Sequence, residues 1–180
     1  MVQRNPPNGD TDTLKYDNDF WRFSLAVYAE AGVAEECLAL QQGIEADINF
    51  LLFCAWIGTR AIILSRKDIE AALKNVSAWQ EHVVRPLRSV RQQIKALTYD
   101  EFESFRARVK SMEIEAEQIE QAILFAYSKG IQDAHACADC REAVTQNIKK
   151  YIEIKSGSQP ERGSDFYAPF LIDAAIRLRS

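Results

Sequence analysis

The sequence predicts an all-α fold, a single-domain helical bundle with a central buried helix and a long αα-hairpin. Three observations carry that expectation. Glycine and proline are scarce, seven and five in 180 residues, which disfavours a turn-rich all-β chain. Residues 46–59 include INFLLFCAWIG, apolar on almost every face, the pattern of a helix enclosed by other helices. Phe102, Phe105, Val109, Met112, Ala116, Ile119, Ile123 and Ala126 step by three and four, the seam of an antiparallel or coiled-coil-like helix pair.

In chain order, residues 1–18 are polar, contain Pro6, Pro7 and Gly9, and read as a disordered leader without the apolar core of a signal peptide. The single helical domain then spans residues 19–180. Asn18 or Asp19 caps a first helix that stops at Gly32, with Phe20, Trp21, Leu25 and Tyr28 on its apolar side. A short second helix, residues 33–41, ends before Gly43 and carries Glu35 and Glu36 in its first turn, where the helix dipole favours them. After the central helix, Ser65 and Asp68 form a capping box for a helix reaching about residue 75. Ser77 caps the next, residues 78–97, which Pro86 should kink by removing a hydrogen bond and crowding the preceding turn. Thr98 and Glu101 form a second capping box for residues 99–129, and so short a connection folds these two helices into a hairpin. Asp133 caps a further helix to residue 154, with Cys137, Cys140, Val144, Ile148 and Tyr151 on one face. A loop over residues 155–164 and a last helix over residues 168–178 complete the chain.

Composition narrows the function classes. A formal net charge of −4 gives the whole molecule no pull toward nucleic acid or anionic membrane. The most apolar run, residues 48–57, is about half of a bilayer crossing, so no membrane span is expected. Four cysteines without a secretory signal suit free thiols and a cytoplasmic setting. There is no glycine-rich phosphate loop, GxSxG elbow or aspartate-rich diphosphate motif, and no cofactor or catalytic residue is expected.

Four groups of residues remain as candidates. His135, Cys137 and Cys140 form HxCxxC, a zinc-like arrangement lacking a fourth ligand, for which buried free thiols on a helical stripe are the preferred reading. Glu113, Glu117 and Glu120 lack the Glu-x-x-His partners of a di-metal bundle and read as a solvated acidic flank. Gln41, Asp47 and Asn49 flank the start of the most buried helix, where helix capping competes with a ligand or partner pocket that Trp56 and Trp79 would adjoin. Arg85, Arg88, Arg91 and Lys95 line one side of the kinked helix, with Arg106, Arg108 and Lys110 following the turn. If Arg88 stands level with Lys110, and Arg91 with Arg106 or Arg108, these cations form a basic patch on an acidic protein. The alternative is a solvated face whose charges pair with other helices.

The blocks GVAEECLALQQ, ADINFLLFCAWIG, WQEHVVRPLRSVRQQIK and MEIEAEQIEQ, in this order, resemble an uncharacterised proteobacterial family of conserved hypothetical proteins, domain-of-unknown-function family 2390. The resemblance covers roughly residues 19–124 and implies a bacterial cytosolic protein with no assigned activity. It leaves residues 130–180 as a variable extension or as part of the shared fold. Of the candidate residues, it contains Gln41, Asp47, Asn49, Trp56, Trp79, Pro86, Leu87, Arg88 and Arg91. Two functions follow as expectations. The first is a non-catalytic interaction or regulatory module that meets an acidic protein partner through the basic flank. The second is a small-ligand binder or enzyme with a pocket between the central and kinked helices near Asp47. A dimer stays open, because a heptad seam can be satisfied between subunits.

Overall fold

A computed structural model describes residues 14–97, 101–131, 136–157 and 168–179. Its elements are α1 Asp19–Tyr28, α2 Val33–Ile44, α3 Ile48–Thr59, α4 Arg66–Trp79, a π-helical turn Gln80–Val84, α5 Arg85–Lys95, α6 Phe102–Ser128, α7 Cys140–Ser156 and α8 Pro169–Arg177. Residues 1–13 of the expected leader, Thr98 of the second capping box, Asp133, and most of the loop before α8 lie outside the described residues. No helix among the described residues is long and apolar enough to cross a membrane.

The centre is α3, as its uniform apolarity predicts: every residue from Asn49 to Gly58 is buried. Phe20, Phe50, Phe53, Trp56, Phe125 and Tyr151 stack around it with ring centroids 4.8 to 6.4 Å apart. Helix α7 packs so tightly on α3 that a Cβ at Gly58 would stand 2.5 Å from the backbone of Val144. Asn147 of α7, fully buried, accepts from the Leu64 N–H at 2.7 Å. It donates to the Ile62 and Cys54 carbonyls at 2.9 and 3.3 Å, fixing the α3–α4 connection. Helix α8 is capped from a distance, since the Glu36 carboxylate accepts from the N–H groups of Phe170 and Leu171. Helices α7 and α8 therefore share the core built by residues before Gly130.

Local signals fix several boundaries. Asn18 accepts from Trp21 N–H at 2.9 Å, and Ser65 and Asp68 form the expected capping box. The inward side of α1 is Phe20, Phe23 and Val27; Trp21 and Tyr28 are half-buried and Leu25 is exposed. Gly43 does not end α2, which runs on to Ile44 and stops at Glu45 in the left-handed region, φ 53°. Ser77 is no cap either. Its hydroxyl donates to the Lys74 carbonyl inside a helix that continues through the π turn into α5. That turn is how the chain accommodates Pro86: Arg85 N–H reaches back to the Gln80 carbonyl, five residues away, just before the position that has no N–H. Helix α7 starts later than expected, capped by Asp139, so Cys137 lies outside it and Cys140 is its first residue.

Helices α5 and α6 pack as the expected hairpin, but on a different face. The inward stripe of α6 is Val109, Glu113, Ala116, Glu120 and Leu124. Phe102, Phe105 and Met112, expected in the seam, are exposed. The hairpin turns its carboxylates inward because the facing side of α5 carries arginines rather than apolar residues.

Candidate functional site

The short corner between α2 and α3 places Asp47 where three elements meet. Its carboxylate caps α3 by accepting from Asn49 N–H at 2.9 Å, and it accepts from Gln80 Nε2 of the π turn. Its own N–H donates to the Tyr151 hydroxyl of α7 at 2.7 Å. In front of Asp47 lies a cleft of about 400 Å³ between the α2–α3 corner and the π turn with α5. One wall is Gln41, Gln42, Glu45, Ala46 and Asp47; the other is Gln80, Arg85, Arg88 and Gln92.

Behind the cleft is a buried polar network. Asn49 Nδ2 donates to Glu120 Oε2 at 2.9 Å, and Asn49 Oδ1 accepts from Gln121 Nε2 at 2.8 Å. Glu120 has no exposed surface, and its Oε1 meets no donor among the described residues. Burial, then the neighbouring Asp47 charge, push its carboxyl up to about 10. A carboxylate there would strand a buried acceptor, whereas the protonated acid has a hydrogen to give to Asp47. Glu120 is thus a neutral acid at physiological pH, held between Asn49 and Asp47. Burial likewise raises the Tyr151 hydroxyl well above its ordinary range, with the Asp47 charge adding to it.

Of the expected acidic flank, buried Glu113 and half-buried Glu117 form an ion-pair cluster with Arg88 and Arg91. Glu113 is 4% exposed and takes Arg88 Nε at 3.0 Å together with Arg91 Nε, while Arg88 Nη2 reaches Glu117 at 2.5 Å. Burial raises the Glu113 carboxyl, but hydrogen bonds from Arg91 and Arg88 outweigh it and hold the group below its usual range. At Glu117 burial wins over Arg88 and the carboxyl is raised. Of the two readings open for Arg88 and Arg91, the structure shows pairing with another helix and not a patch of unpaired cations: each faces glutamate across the hairpin. Charged residues are rarely buried unless paired, and three glutamates at steps of three and four look like a wet flank. Their place in the same stripe as Val109, Ala116 and Leu124 was the available signal.

The remaining candidates separate. Gln41, Asp47, Arg85 and Arg88 meet at the cleft; Asn49 stands behind it. Trp56 belongs to the aromatic core and carries Arg60 over its ring, and Trp79 ties α4 to α6 by donating to the Ala116 carbonyl at 2.9 Å. Lys95, Arg108 and Lys110 are exposed, Arg108 lying over the Phe105 ring, and Arg106 pairs with Glu103 of its own helix. Cys137 and Cys140 are half-buried rather than enclosed on a helical stripe, because they precede or begin α7. His135 lies outside the described residues, and among those described no group of three His, Cys, Asp or Glu could hold a metal ion.

Fold and site together define an all-α domain with a polar cleft backed by a buried neutral acid. Residues 19–124 match the family described as protein of unknown function (DUF2390), more than half of the chain, and the protein belongs to that family. Those residues supply both walls of the cleft, its Asp47 floor and the glutamate cluster behind it. No curated protein and no solved structure matches the chain.

Proposed function

We propose that this domain binds a small hydrophilic molecule in the cleft at Asp47 and acts as a binding module. The observation that carries this reading is the lining: of nine residues around about 400 Å³, eight are polar and only Ala46 is not. The volume is in the range of small-molecule sites, which are lined mostly by apolar groups, so a polar ligand suits this lining better than an apolar one. Gln42 is exposed at the rim, where a large side chain would fill the cleft without disturbing the core. Wild type and Gln42→Trp are incubated with a bacterial polar-metabolite extract, and retained molecules are identified by ultrafiltration and mass spectrometry. A molecule held by wild type and lost by a variant of equal melting temperature supports the reading. Retention of the same molecules by both, or of none by either, rejects it.

A second reading, docking of an acidic protein partner, draws on the outer face of the hairpin. Val90, Leu97, Phe105 and Met112 are exposed there, with Lys95, Arg108 and Lys110 on the same hairpin. Its mark would be a partner released by salt and lost in Arg108→Glu with Lys110→Glu. The four free cysteines support placing the protein in a reducing cytoplasm, and its resemblance to bacterial sequences supports a bacterial one.

A further inference from the structure

The two walls of the cleft carry opposite charge. The α2–α3 corner presents Glu45 and Asp47, and the α5 wall presents Arg85 and Arg88. Arg88 is committed to Glu113 and Glu117, whereas Arg85 and Glu45 are exposed and make no ion pair among the described residues. Asp47 already accepts from Asn49, Gln80 and the Glu120 acid, yet its two carboxylate oxygens keep one acceptor position open. Gln41, Gln42, Gln80 and Gln92 add amide groups that both donate and accept. An anion would be repelled by the first wall and a cation by the second.

Building on the binding reading above, we infer that the ligand is a small zwitterion of the amino-acid type. Its ammonium sits against Glu45 and Asp47, its carboxylate against Arg85, and a polar side chain or second residue meets the glutamines. Glu45 is held at the corner by its left-handed backbone, and Arg85 is the residue whose N–H closes the π turn, so both charges stand on defined backbone positions.

The test titrates the protein by calorimetry with each common amino acid and with alanyl-glutamine. Any binder is then compared with its C-terminal amide, which lacks the carboxylate, and its N-acetyl form, which lacks the ammonium. Each modification should weaken binding at least tenfold, as should Arg85→Ala and Glu45→Ala, both exposed positions whose loss leaves the melting temperature unchanged. A binder indifferent to amidation or acetylation overturns the inference. If nothing in the panel binds while the extract yields a molecule sensitive to Gln42→Trp, the ligand class is wrong and the binding reading stands. If neither experiment yields a molecule, both fall.

Discussion

Replacing Glu120 by glutamine should stabilise the protein, and more so as pH rises. In the folded state burial and Asp47 raise the Glu120 carboxyl to about 10; in the unfolded chain it titrates near 4.5. Between those values the folded state holds a proton that the unfolded state has released. Stability is therefore complete below the lower value and falls by about 1.4 kcal/mol per pH unit as pH rises toward the higher one. At pH 7 the accumulated cost is about 3 kcal/mol. Glutamine keeps the acceptor for Asn49 Nδ2 and offers an N–H toward Asp47 without the titration. Urea unfolding followed by circular dichroism from pH 5 to 8.5 should show the two proteins equal near pH 5. The variant should lead by about 3 kcal/mol at pH 7, roughly 6 to 12 °C in melting temperature for a chain of this size. A variant less stable than wild type at pH 8, with the same pH slope, would show that Glu120 is ionised in the fold and refute the reasoning.

Four further outcomes are expected. Arg88→Ala leaves Glu117 without its partner and Glu113 with one arginine, and should cost about 2–4 kcal/mol in chemical denaturation. Gly58→Ala drives a methyl into the Val144 backbone and should cost about 3 kcal/mol or more by the same assay, or prevent folding. Asn147→Ala strips partners from Leu64 N–H and the Ile62 and Cys54 carbonyls, a loss of about 3 kcal/mol that calorimetric melting would register. Iodoacetamide at pH 8 should modify Cys137 and Cys140 in the native protein and spare Cys37 and Cys54. The latter two thiols are buried and their acidity is suppressed, Cys37 being pushed up to about 12.

Where a signal is local, the sequence showed it. The caps at Asn18, Asp47 and Ser65 need only a side chain and the N–H two or three residues on, and the encirclement of α3 needs only its own apolarity. The cleft was legible in part for the same reason: Asp47 stands at a helix start beside the most buried segment. Glu113 and Glu120 were not legible, because whether a glutamate is wet or buried depends on what the opposite helix presents. The arginines that decide it for Glu113 and Glu117 are 22 to 29 residues away in sequence, and Asn49, the partner of Glu120, is 71 away. The same ignorance of register left Arg88 and Arg91 open between a basic patch and pairing with another helix. Gly43 and Ser77 misled as helix punctuation, since tertiary packing carries α2 and α4 past them.

The π turn at Gln80–Val84 amounts to one surplus residue spliced into an α-helix. Deleting any single residue there would restore ordinary winding and rotate everything downstream by about 100°. Arg88 would swing off Glu113, and Arg85 and Gln92 would leave the cleft together. The turn thus works as an indexing device: a one-codon gap in a relative, rather than any change of residue type, would re-aim the whole α5 wall at once. Comparing homologues by the length of this segment therefore sorts them by cleft chemistry before a single side chain is compared.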